Sequence, residues 1–141
     1  MKTIVVVAQD DHTAQVRCLE VRTVLSSGLC CPVQVLPACS VDGVLDILAK
    51  GPIDMLIVDD RLTGITGTGL IRWIEKLLIR TTKVLLTSDP RILAEPWKYA
   101  GPEINEVLPK PLERDSLKRM LQRWLGRSAT FVATSGAFFA S

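Results

Sequence analysis

The run Asp54-Met55-Leu56-Ile57-Val58-Asp59-Asp60 constrains the fold more than any other stretch. Four consecutive apolar residues bounded by acids predict a short strand buried on both faces, as in a parallel sheet, with the acids at its carboxyl end. In open α/β sheets that edge is where ligands bind. Asp59 is therefore a candidate reactive carboxylate, and the polar turn Arg61-Leu62-Thr63-Gly64-Ile65-Thr66-Gly67 follows it directly.

The same pattern recurs along the chain. Thr3 to Ala8 is a β-branched run ending at Gln9-Asp10-Asp11, so a second buried strand also delivers carboxylates. From Thr13 or Ala14 to Leu25, apolar Val16, Leu19, Val21, Val24 and Leu25 lie between Arg17, Glu20 and Arg22, which predicts an amphipathic helix stopped by Ser26-Ser27-Gly28. Val33 to Leu36, flanked by Pro32 and Pro37, predicts an edge strand, where a missing N–H costs least. Ser40 is the expected N-cap of a helix over 41–50. Leu70, Ile71, Trp73, Ile74, Leu77 and Leu78 give a further helix. Lys83 to Thr87 is a fourth strand, after which Pro90 and Pro96 leave room only for a short or broken helix. Glu106 to Leu108 makes a fifth strand before Lys110-Pro111, and Leu117, Met120, Leu121, Trp124 and Leu125 make a last helix. Strands alternating with helices through short connections imply right-handed βαβ units and a three-layer α/β sandwich with a parallel sheet.

Composition narrows the function classes. With 141 residues, 48% of them hydrophobic, one compact domain is expected over 1–126, followed by an uncharged tail or linker stub at 127–141. The net charge of +2, from 17 basic and 15 acidic residues, supplies no footprint for nucleic acid or an anionic membrane. No apolar run is long enough to span a bilayer, and the four cysteines have no Cys-x-x-Cys spacing, so reduced, mostly buried thiols and a cytoplasmic location are expected. Trp73 and Trp124 are expected to pack; Trp97, in the broken segment, is expected at the surface, as is His12.

The strand ends bring Asp10, Asp11, Asp59, Thr87 and Lys110 to one rim. Carboxylates about 4 Å apart repel by roughly 4 kcal/mol per pair at an effective dielectric of about 20, so a divalent cation is a natural occupant. Hard oxygen donors favour magnesium. A carboxylate beside magnesium, with a hydroxyl and an ammonium nearby, suits phosphoryl transfer to an aspartate.

In this order and spacing the motifs resemble the receiver domain of bacterial two-component response regulators over residues 3–125. They are the acids after strand one, Asp59 five residues after Asp54 and eight before Gly67, Thr87 with Ser88, and Lys110-Pro111. The resemblance implies a flavodoxin-like sheet in the order 2-1-3-4-5. It also implies phosphoryl transfer from a sensor histidine kinase or phosphotransfer protein onto Asp59, by a switch that catalyses its own phosphorylation. Asp10, Asp11, Asp59 and the carbonyl of Arg61 would hold Mg2+; Thr87 and Lys110 would bind the phosphoryl group. Whether Gln9-Asp10 or Asp10-Asp11 is the acid pair stays open, as does a cap role for Asp11. Arg61 and Asp89 are expected to pair across the mouth. Val107 stands where many receivers carry an aromatic residue, and the Pro90 to Pro96 segment alters a surface many use to form homodimers, so an altered or absent dimer mode is expected. An output domain does not fit within 141 residues. The alternative is a receiver-like interaction module that is not phosphorylated; a nucleotide-binding flavodoxin is disfavoured by the lack of a Gly-rich loop after strand one.

Overall fold

The computed structural model describes residues 2–25, 32–77 and 80–132, with side chains as far as residue 125. Among these, five parallel strands form one sheet in the order β2-β1-β3-β4-β5. The strands are β1 (Lys2–Val7), β2 (Val33–Ala38), β3 (Met55–Asp59), β4 (Thr82–Thr87) and β5 (Glu106–Pro109). The helices are α1 (Asp11–Leu25), α2 (Val41–Lys50), α3 (Gly67–Ile74), α4 (Pro90–Ala94), α5 (Pro96–Tyr99) and α6 (Arg114–Val132), with a 3-10 turn at Glu75–Leu77.

The central strands are apolar at every position because both of their faces are covered. Alternation sorts the side chains: Ile4, Val6, Met55, Ile57, Val84, Leu86 and Leu108 pack against α1 and α6. Val5, Val7, Leu56 and Val58 pack against α2 and α3 on the other side. Ser40 caps α2 by accepting from the Gly43 N–H at 3.0 Å, as expected. Pro37 lies inside β2, which pairs only with β1, so its missing N–H falls on an edge strand. Proline opens both α4 and α5, at the one helical position where its absent N–H does no harm.

Several expectations are corrected. The buried stripe of α1 is Ala14, Cys18, Val21 and Val24, whereas Val16 and Leu19 are 44% and 60% exposed. Trp73 is 67% exposed rather than packed, because the buried face of α3 is made by Leu70, Ile71 and Ile74 and Trp73 lies off it; Leu77, in the 3-10 turn that follows, is exposed too. Trp124 is half-buried and donates from Nε1 to Glu106 Oε1 at 2.8 Å, and Trp97 is exposed. Cys18 is buried, but Cys39 is exposed; Cys30, Cys31 and the Ser26-Ser27-Gly28 stop lie outside the described residues. Helix α6 runs from Arg114 to Val132. Among the described residues no helix is long and apolar enough to cross a membrane.

Candidate functional site

Strand alternation decides where the two acids at the end of β3 point. Met55 and Ile57 face α1 and α6, so Asp59 continues that face, and Asp60 follows Leu56 and Val58 toward the other. Asp59 is only 5% exposed. Helix α1 runs beside it, and Arg17 Nη2 donates to Asp59 Oδ2 at 3.1 Å. Lys110, two residues past buried Leu108 and on the same face, donates from Nζ to Asp59 Oδ1 at 2.8 Å and to Asp60 Oδ1 at 3.0 Å. The Arg61 N–H also donates to Asp59 Oδ1, at 3.2 Å. Both oxygens of Asp59 are thereby engaged by cations.

Thr87, at the end of β4, donates its hydroxyl to Asp60 Oδ2 at 2.6 Å and accepts from the Asp89 N–H at 3.0 Å. Burial pushes the Asp60 carboxyl up, but the Thr87 hydroxyl and Lys110 ammonium outweigh it and hold the pKa below the ordinary value. Burial likewise pushes Lys110 down, and its bonds to Asp59 and Asp60 more than reverse that, leaving it above the ordinary lysine value. Lys110–Pro111 is a cis peptide. Gly67 opens α3 against the strand end: its N–H donates to Asp60 O at 2.9 Å, and a Cβ there would lie 2.2 Å from Asp59 O.

No family model and no curated protein matches the sequence. Solved structures do. A putative response regulator from Chloroflexus aurantiacus J-10-fl is 28% identical, with 89% of this chain and 98% of that one covered and a TM-score of 0.69. A signal receiver domain of an HD domain-containing protein from Pseudomonas fluorescens Pf-5 is 24% identical, over 92% and 90% of the two chains, with a TM-score of 0.69. The chain has the fold of a response regulator receiver domain. A third neighbour, the response regulator TrrA from Thermotoga maritima in complex with Mg2+-BeF, is 21% identical, over 88% and 99%, with a TM-score of 0.67.

Of the residues expected at the receiver-domain site, Asp59, Thr87 and Lys110 come together, with Thr87 meeting the centre through Asp60 rather than Asp59. Asp10 and Asp11 do not join them. Continuing the pairing of Val7 with Val58 sets Ala8 beside Asp59, so the residues that leave β1 at the site are Ala8 and Gln9. The acids come later, where α1 has begun. Asp10 is exposed and accepts the Thr13 N–H at 2.7 Å, and exposed Asp11 accepts from Gln15 Nε2 at 2.9 Å. Asp10 is held below the ordinary carboxylate pKa chiefly by the Thr13 N–H. Neither Gln9-Asp10 nor Asp10-Asp11 supplies a carboxylate pair to the centre.

These contacts leave a magnesium ion few free carboxylate oxygens at the centre. Among the described residues no three Asp, Glu, His or Cys side chains group so as to hold a metal ion. The two carboxylates at the centre, Asp59 and Asp60, are matched by two cations, Arg17 and Lys110. At about 3 Å and an effective dielectric of about 20, one such contact is worth on the order of 5 kcal/mol before desolvation, which an entering metal ion would forfeit. The expected Arg61–Asp89 pair is absent as well. Asp89 caps α4, accepting the Arg91 N–H at 2.9 Å, and its carboxylate pairs with Arg91 Nη2 at 3.1 Å. The Arg91 guanidinium first, and then the Arg91 N–H, lower the Asp89 pKa, and both turn its carboxylate toward its own helix.

Arg17 and Asp60 were missed as site residues. Arg17 carries a signal in the sequence, since it sits three residues after Ala14 and one before Cys18, on the buried side of α1. Taking Val16 and Leu19 as the apolar stripe turned it toward solvent. Asp60 carries no comparable signal; its role follows from the lysine that bridges the two acids.

Proposed function

We propose that this receiver domain is a phosphorylation switch in which Asp59 accepts a phosphoryl group from the phosphohistidine of a sensor kinase or phosphotransfer protein. Such a partner places the reaction in the cytoplasm. The observation that carries the reading is Asp59 itself: a nearly buried carboxylate at the carboxyl end of the central strand, with Lys110 2.8 Å from one oxygen and Arg17 3.1 Å from the other. A carboxylate oxygen attacks phosphorus and the P–N bond breaks with its electron pair passing to the ring nitrogen; the imidazole, already protonated at its other nitrogen, leaves neutral. The product acyl phosphate carries one more negative charge than the carboxylate it replaces. Lys110 and Arg17 are the cations placed to balance it, and Thr87 is a hydroxyl donor one side chain away.

The test is incubation of the full chain with acetyl phosphate in a magnesium-containing buffer, followed by intact mass. The expected result is a mass increase of one phosphoryl group, labile to hydroxylamine and abolished by Asp59→Asn. A second reading, an interaction module that is not phosphorylated, is favoured by the occupation of both Asp59 oxygens in the same geometry. A chain that stays unmodified by acetyl phosphate and by a phosphorylated phosphotransfer domain, while folded by circular dichroism, establishes that second reading.

A further inference from the structure

We propose that Arg17 takes over the electrostatic role of a divalent cation here: the Asp59 centre binds a tetrahedral oxyanion through Arg17 and Lys110 and does not bind a divalent metal. The oxyanion half rests on Asp59 being the phosphoryl site; the metal half stands on the contacts alone.

Three observations carry it. The centre is internally neutral, with the Asp59 and Asp60 carboxylates facing the Arg17 guanidinium and the Lys110 ammonium. The acids that would give it excess negative charge are turned away, Asp10 onto the Thr13 N–H and Asp11 onto Gln15, and buried Ala8, the residue that continues β1 beside Asp59, offers only a methyl group. Arg17 also holds a donor in reserve. Its Nη2 is spent on Asp59, while its Nε is buried and has no hydrogen-bond partner. A buried donor without an acceptor is unfavourable, and an oxyanion joined to Asp59 as an acyl phosphate brings oxygens to the same guanidinium. The planar fork of arginine suits that geometry better than a point charge does. Ala14 and Cys18, on either side of Arg17 along α1, are buried, and they set the phase of the helix that carries it.

Two probes test the halves separately on the full chain. Manganese alone, titrated into isotopically labelled protein, is expected to leave the amide resonances of residues 59–61 unbroadened; saturable broadening centred on them overturns the metal half. Beryllofluoride, an acyl-phosphate mimic, is expected to bind in the presence of a chelator, with an affinity unchanged by added magnesium. Arg17→Ala is expected to weaken it by about tenfold or more, with Arg17→Lys recovering part of the loss and Asp59→Asn abolishing binding. Binding that requires magnesium and ignores Arg17→Ala overturns the proposal and leaves phosphorylation of Asp59 standing. Absence of binding in both conditions by folded protein overturns the oxyanion half together with the phosphoacceptor reading.

Discussion

Gly67 has little latitude, because a Cβ would lie 2.2 Å from Asp59 O and 3.0 Å from Asp60 Cα, both backbone atoms that cannot swing aside. Gly67→Ala is expected to destabilise the fold by about 1–3 kcal/mol in urea denaturation and to displace the Asp59 carboxylate. The acid pair and its lysine give the stability a defined pH dependence. Asp60 titrates below its ordinary 3.8 in the folded state, so its contribution is complete above that pH and is lost as pH falls through the folded value. Lys110 titrates above its ordinary 10.5, so its contribution is complete below that pH and is lost as pH rises through the folded value. Urea midpoints measured across pH should show both limbs in the parent. Asp60→Asn should flatten the acid limb and Lys110→Met the alkaline one.

At the scale of elements, α1 shows how one helix acquires two roles. Its buried stripe holds it against β2 and α6, and the adjoining position near its amino end carries Arg17 to the sheet edge. Leu19→Ser, on the exposed side, should change the unfolding free energy by no more than about 0.5 kcal/mol. Leu121→Ala on α6, in the core that α1 completes, should cost about 2–5 kcal/mol. These outcomes invert the ranking expected from treating Leu19 as core. The mistake has a physical origin: Ala14 and Cys18 are small and weakly apolar, so hydrophobicity alone points to larger Val16 and Leu19, whereas helix geometry and the neighbouring sheet select the residues that fit closest. Ser40 shows the opposite case. A local hydrogen bond to the Gly43 N–H defines the start of α2, and Ser40→Ala is expected to cost about 0.5–2 kcal/mol by the same denaturation measurement.

For the whole molecule, a site built from the ends of β3, β4 and β5 and the first turns of α1 makes ligand binding report on global folding. Beryllofluoride at about 100 times its Kd should raise the stability by about 2.7 kcal/mol in the parent and not in Asp59→Asn, read as a shift of thermal unfolding. The sequence by itself determined the parallel α/β sandwich, since apolar strands ending in polar residues and separated by helices admit little else. It also determined that Asp59, Thr87 and Lys110 would share one rim, because strand ends in a parallel sheet all open on the same edge. Only the tertiary structure decided what surrounds Asp59. The register of β1 on β3 puts Ala8 and Gln9 at the site and leaves Asp10 and Asp11 to α1. The alternation of β3 turns Asp59 toward α1 and Asp60 toward Thr87. A one-residue change of register or a change of helix phase moves a charge from solvent to the centre without altering the pattern of apolar and polar residues by which elements are recognised. Arg17 was hidden for that reason: its partner lies 42 residues away, and only packing brings the two within 3.1 Å.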